Sequence, residues 1–201
     1  MNMEGKFSAG GIFTTEINRH SLMSRALESG DPGEIEFAKN QIKLGLAKGG
    51  YDLIETDVTH NLIPDQGLDN LLSVWINGGT QVSSRYVGIF SADSTPTNAW
   101  TSANFHAVNT TEWTAYDEVT RPLWNVGAVS GQAVTNSANK AVFTANAGAV
   151  LYGAAILSAS TKDGSNDATG ILYAATRYSA SRPVVATDII NVQYDLSASS
   201  V

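Results

Sequence analysis

The stretch 188-DIINVQYDLSAS-199 decides how this chain is read. Ile190, Val192, Tyr194 and Leu196 alternate with Ile189, Asn191, Gln193 and Asp195. A period of two sends the first set to one face of a strand and the second set to the other. One face therefore meets a core and the other meets water.

The pattern recurs upstream. In "KAVFTAN" (140–146), Ala141, Phe143 and Ala145 share one side, with Val142 and Thr144 on the other. "SRYVGIFSA" (84–92), "AVLYGAAILSAS" (149–160) and "GILYAATRYS" (170–179) have the composition of buried strands. The segments between them are rich in Gly, Asn and Ser and too short for parallel crossovers. These features predict a mainly β chain, with an antiparallel β-sandwich or jelly-roll-like domain over 58–201.

Residues 1–57 read differently, as an N-terminal arm with short helices. Residues 1–15 are rich in Gly, Ser and Thr and read as extended. Helical spacing over 16–29 and 34–48 flanks the breaker "GDPG" (30–33), and Ile35, Ala38, Ile42 and Leu46 fall on one stripe. Too few apolar residues are present for an independent core. Phe7, Ile12, Phe13, Ile35, Ile42 and Leu46 are the candidate attachment residues of the arm. Within the β domain, residues 65–77 form a stronger helix. Leu68, Leu71, Leu72 and Trp75 follow i, i+3, i+4, i+7, Asp65 is placed to cap the start, and Gly78 and Gly79 end it. Trp75 on such a stripe reads as a core anchor.

Composition narrows the function classes. The chain has 201 residues, no cysteine and a net charge of −7. Residues 1–50 carry six basic and six acidic side chains, so the excess negative charge falls on 51–201. An acidic chain is poorly suited to phosphate-backbone binding, so no nucleic-acid partner is expected. No run approaches the roughly 20 apolar residues of a membrane span. The N-terminus lacks a basic start followed by an apolar run, so no secretory signal is expected. Without thiols there is neither a disulfide nor a thiolate metal site.

The densest chemistry lies in 111-TEWTAYDEVTRPLW-124, with Glu112, Asp117 and Glu118 among Trp113, Tyr116 and Trp124. A glycosidase needs two carboxylates facing each other across a sugar. Adjacent Asp117 and Glu118 point to opposite faces of a strand, as do Glu112 and Asp117. Arg121 with a neighbouring acid forms a planar ion pair, and Pro122 holds the backbone extended. The stretch reads as a structural pinned crossover built on Trp113, Tyr116, Asp117, Arg121, Pro122 and Trp124, with rings inward. His20, His60 and His106 stand far apart in sequence and read as surface or capping residues. Asp163, Asn166 and Asp167 make "TKDGSND" (161–167) oxygen-rich, but it lacks the EF-hand spacing and reads as a solvated turn. No phosphate loop or G-x-S-x-G occurs. Neither catalytic residues nor a metal or cofactor is expected.

The runs "HNLIPDQGLDNLL", "YVGIF", "TAYDE-x-TRP", "TNSANKA-x-F" and the closing "DIINVQYDLSASS" resemble, in that order, a family of structural proteins of tailed bacteriophages. Its members are capsid decoration or cement proteins. The resemblance covers about residues 58–201. It implies a non-enzymatic virion protein on the capsid surface, made in the bacterial host cytoplasm. The implied partners are the major capsid protein and further copies of the chain, as a homodimer or other homo-oligomer. Two other readings are a tail, neck or fibre-base virion protein and a carbohydrate-binding jelly-roll module. The last needs exposed rings among Trp100, Trp113 and Trp124.

Overall fold

Two antiparallel sheets face each other in the computed structural model, which describes residues 7–47, 50–106, 111–162 and 167–200. The larger sheet runs β2 (Tyr51–His60), β1 (Phe7–His20), β8 (Ile189–Ser200). The far side of β8 is shared by β4 (Ala133–Thr135) and β5 (Ala141–Thr144). The smaller sheet runs β3 (Tyr86–Phe90), β6 (Ala149–Leu157), β7 (Leu172–Val184). The chain is mainly β. The alternation of 188–199 is realised: Ile190 and Val192 are fully buried, Tyr194 nearly so, and Leu196 packs against the same core. Ala141, Phe143 and Ala145 face that core too, while Val142 is exposed. Leu151, Ala154 and Ile156 of β6 and Ala174, Tyr178 and Val184 of β7 meet them from the smaller sheet. Gly153 permits close approach at the centre of β6, where a Cβ would lie 2.1 Å from the Phe90 ring and 2.2 Å from the Thr176 carbonyl.

The N-terminal segment is part of this architecture, which corrects the reading of residues 1–57 as a separate arm. β1 lies between β2 and β8 and pairs with both. Its inward residues Phe13 and Ile17 are buried in the main core, and the Phe13 ring stacks on Tyr194 at 4.4 Å. Phe13 is therefore no attachment residue. Ile12 lies on the opposite, outward face, half-buried. Phe7 pairs through its backbone with Ser200. The boundary expected after residue 57 falls inside β2. The core of the β domain completes itself with β1, so a weakly apolar N-terminus needs no core of its own. The first six residues of the expected arm lie outside the described residues.

Between β1 and β2 stand α1 (Ser21–Ser29) and α2 (Pro32–Lys43). The helix expected from residue 16 starts at Ser21, because Glu16–His20 complete β1. His20 caps it by accepting the Leu22 N–H, as a capping histidine should. Gly30 takes the left-handed conformation (φ 69°), and Asp31 accepts the N–H groups of Gly33 and Glu34 to start α2. Met23, Ala26 and Ala38 form a small core, with Ile35, Ile42 and Val185 packed against it. Ile35 and Ile42 thus hold the hairpin together. Leu46 lies beyond α2 and is exposed. Lys48 and Gly49, expected to end this helix, lie outside the described residues.

The third helix, α3 (Asp65–Ile76), reverses its expected orientation. Leu68, Leu71, Leu72 and Trp75 are exposed, Trp75 to 70%, so Trp75 is not a core anchor. The helix docks through its other side. Gly67 lies against the backbone of Leu172 and Tyr173, Gln66 bridges Gly170, Ser102 and Leu172, and Asn70 accepts from the Tyr173 hydroxyl. The cap at the start is Pro64, with no side-chain hydrogen bond, and not Asp65. Gly78, with φ 65°, follows the helix end as expected. No helix among the described residues is long and apolar enough to cross a membrane.

Removing residues 1–20 should abolish cooperative folding, since it takes the middle strand from the larger sheet. Phe13→Ala should cost about 3–5 kcal/mol, read by denaturant unfolding. A soluble truncated domain with native circular dichroism would contradict this packing.

Candidate functional site

The stretch 111–124 leaves one sheet, crosses to the other and returns. Its two ends line the open edge of β3. The Trp113 N–H donates to the Ile89 carbonyl, the Val87 N–H to the Pro122 carbonyl and the Trp124 N–H to the Arg85 carbonyl, each at 2.8 Å. The middle reaches β5, where the Asp117 N–H donates to the Thr144 carbonyl and the Asn146 N–H to the Ala115 carbonyl. Tyr116 sits edge-on to Phe143 at 5.0 Å, and Lys162 lies over its ring at 4.1 Å. Glu118 accepts the Thr144 N–H and hydroxyl. The Trp124 indole N–H donates to the Tyr194 carbonyl. The crossover thus closes one side of the two-sheet body, and β3 keeps no bare edge along it.

Arg121 holds the neck of this loop. Its Nε and Nη2 donate to the two Glu112 oxygens at 2.6 and 2.7 Å. Nη1 and Nη2 donate to Asp167 at 2.7 and 2.9 Å, and Nη1 also donates to the Ala159 carbonyl at 2.9 Å. All five guanidinium N–H groups are thereby used. Arg121 is 1% exposed, and Glu112 and Asp167 are buried with it. Burial opposes its charge, but the hydrogen bonds and charges of Glu112 and Asp167 outweigh that and raise its pKa. His106 Nδ1 lies 2.8 Å from Glu112 Oε2 and extends the network toward solvent.

The expected pinned crossover is therefore present, with Trp113, Tyr116, Arg121 and Trp124 buried and Pro122 on the β3 edge. Its acids are reassigned. The acid of this stretch that pairs with Arg121 is Glu112, not Asp117 or Glu118, and Asp167 is its second carboxylate partner. Asp117 contributes its backbone and leaves its side chain exposed. Sequence reasoning missed Asp167, read as part of a solvated turn, and the pairing of His106. Asp167 stands 46 positions from Arg121, and no local pattern links them. Asp163 and Asn166 of that turn lie outside the described residues.

His106, Glu112 and Asp167 bring ligand atoms within 4.8 Å of one another, which is also metal-ligand geometry. The bonding argues against that use. Arg121 occupies all four carboxylate oxygens, so a cation would have to displace a buried guanidinium. Chemically the cluster is a clamp. Trp100, Trp113 and Trp124 are each less than a tenth exposed and offer no ring platform to a sugar.

Arginine clamps recur elsewhere. Arg182 of β7 binds Glu55 and Asp57 of β2, closing the opposite side of the body. There Leu62 and Ala175 also exchange backbone hydrogen bonds at 2.8 and 2.9 Å. Arg19 grips buried Asp188 through two hydrogen bonds of 2.9 and 2.8 Å.

Among the described residues, two groups of large exposed apolar side chains stand out. One is the α3 stripe, continued by Ile76. The other lies at the base of the α1–α2 hairpin, where Phe37 and Leu46 line a shallow cleft beside His20, with Tyr51 on the His20 ring and Leu44 and Leu53 exposed nearby. Only Leu46 of this second surface was among the expected attachment residues.

Arg121→Ala should destabilise the fold by about 3–5 kcal/mol, since it leaves two buried carboxylates without their cation. Arg121→Lys should recover little, because an ammonium has three donors and no fork. Equal melting of parent and Arg121→Ala would refute the clamp. High pH offers a second check. Burial raises the pKa of Tyr178, Tyr116 and Tyr194 above the ordinary value of 10.0. Above pH 10.0 the unfolded chain loses phenolic protons that the folded chain keeps, so stability should fall as pH rises further. Tyrosinate absorbance from these three should appear together with unfolding, not before it.

Compared with models of protein families and with characterised proteins, the sequence has no match.

Proposed function

We propose that this chain is a structural subunit of a tailed-bacteriophage particle. In this role it binds the outside of the capsid lattice as a cement or decoration protein, with a jelly-roll-like β body. Its partner is the major capsid protein, it is made in the bacterial host cytoplasm, and it catalyses no reaction. The observation that carries the reading is the pair of separate apolar surfaces on a stiff body. α3 docks, by the side opposite its stripe, beside Leu172 and Tyr173 at the start of β7, and the helical hairpin packs on Val185 just after its end. The length of β6 that pairs with β7 between these points, Ala149 to Leu157, sets them about 26 Å apart along the sheet.

A subunit that bridges a seam needs two attachment surfaces held at a set distance. Each contact is then reinforced by the other, because the second binds at high effective concentration. Contiguous exposed apolar patches mark interaction sites, and on a rigid body with two of them a protein lattice is the proposed occupant. The charged clusters support the same reading, since Arg121, Arg182 and Arg19 are consumed in holding the sheets. Of the expected attachment residues, Leu46 remains in this role, joined by Phe37, Leu44 and Leu53.

Purified particles should contain this protein at a fixed ratio near that of the major capsid protein. Stripping it should lower their resistance to heat. Phe37→Glu with Leu46→Glu should fold normally and fail to join stripped particles. A handful of copies per particle would replace the cement role with a tail, neck or fibre-base position. Absence from particles would end the virion reading.

A further inference from the structure

We propose that the outward stripe of α3 is a self-association surface, on which a second copy of this chain packs its own α3 antiparallel about a two-fold axis. This deepens the assembly role proposed above by naming one of its partners.

The stripe is built as an interface and not as a core. Leu68, Leu71, Leu72, Trp75 and Ile76 are between 38% and 70% exposed. The docking side of the same helix is small and polar, and its groups are hydrogen-bonded to β7 and its surroundings. The helix therefore sits firmly on the body and holds its apolar side outward. Of the four tryptophans only Trp75 is exposed.

The spacing of the stripe fits a copy of itself. An axis between Leu71 and Leu72 sets Leu68 against the partner copy's position 75, and Leu71 against its position 72. Every large side chain in that set meets another apolar one, which is the self-complementarity an isologous contact requires. Charge agrees. Asp65 and Asp69 are the charged residues of α3; Asp65 lies at the N-terminal end of the stripe, beyond the paired set 68–75, and Asp69 lies on its margin beside Leu72 and Ile76. In the antiparallel arrangement the two Asp69 side chains stay roughly 12 Å apart, given the helix rise and usual packing distance. That exceeds the screening length of about 8 Å at physiological salt. The helix dipoles run oppositely, which is also favourable.

The area suffices. Trp75 alone offers on the order of 150 Å², and the stripe about 500 Å² per copy, at the upper range for a monomer surface. Two copies would bury about 1,000 Å², the lower bound for a specific interface.

The test uses the purified full-length chain with no particle present, so it fails or succeeds separately from the capsid role. Sedimentation equilibrium should give twice the chain mass of 21.2 kDa. Leu72→Glu and, independently, Trp75→Ser should give the single-chain mass with unchanged circular dichroism and melting. The chain has no cysteine, so Leu72→Cys supplies a lone thiol beside the axis that should oxidise to a covalent dimer. Val119→Cys, at a position 89% exposed and outside α3, should not. Acrylamide quenching of Trp75 should fall as concentration rises. A single-chain mass for the native protein, or a two-chain mass that survives both substitutions, overturns the proposal.

Discussion

The guanidinium of Arg121 joins three parts of the chain: its own loop, through Glu112 nine positions upstream, the Ala159 carbonyl just after β6, and Asp167. Much of the body depends on that junction. The loop it fastens covers the edge of β3, reaches across to β5 and carries Trp113, Tyr116 and Trp124 into the main core. Burying three charges is costly, and the cost is offset only when every donor and acceptor is matched. Here five donors meet four carboxylate oxygens and one carbonyl. Such a network tolerates one geometry, so it sets where the crossover runs as well as contributing to stability.

The opposite side of the body is closed by the same device. Arg182 joins β7 to β2, and Arg19 secures Asp188 at the start of β8. Two sheets held at both sides form a stiff unit with few free edges. Stiffness suits the proposed role of holding two partners at a fixed distance, because a flexible link would dilute the advantage of double attachment. Arg121, Arg182, Glu112, Asp57, Asp167 and Asp188 thus turn inward to structural work.

This inversion explains α3. A stripe at i, i+3, i+4, i+7 ordinarily faces a core. In this helix Gly67 and Asn70 face β7 instead, because a glycine lets the helix backbone approach the strand backbone and Gln66 satisfies the strand end. The space between the sheets is already filled by Phe13, Phe143, Tyr178 and Tyr194. A leucine-rich helix face has no room there and stays on the surface.

The sequence by itself determined the strand character of 188–199 and 140–146 and which of their faces is buried, because a period of two ties side-chain direction to position. It also determined that 111–124 is a pinned crossover with its rings inward, since a buried arginine requires a carboxylate and Pro122 limits the backbone. Only the tertiary structure decided which carboxylates those are, because Asp167 and Arg121 meet through the packing of separate loops. Only the tertiary structure placed β1 between β2 and β8, since hydrogen bonding between distant strands leaves no periodic mark beyond the strands themselves. The same limit applies to α3. Periodicity shows that one face of the helix is apolar, but what that face meets depends on the space the rest of the chain leaves open.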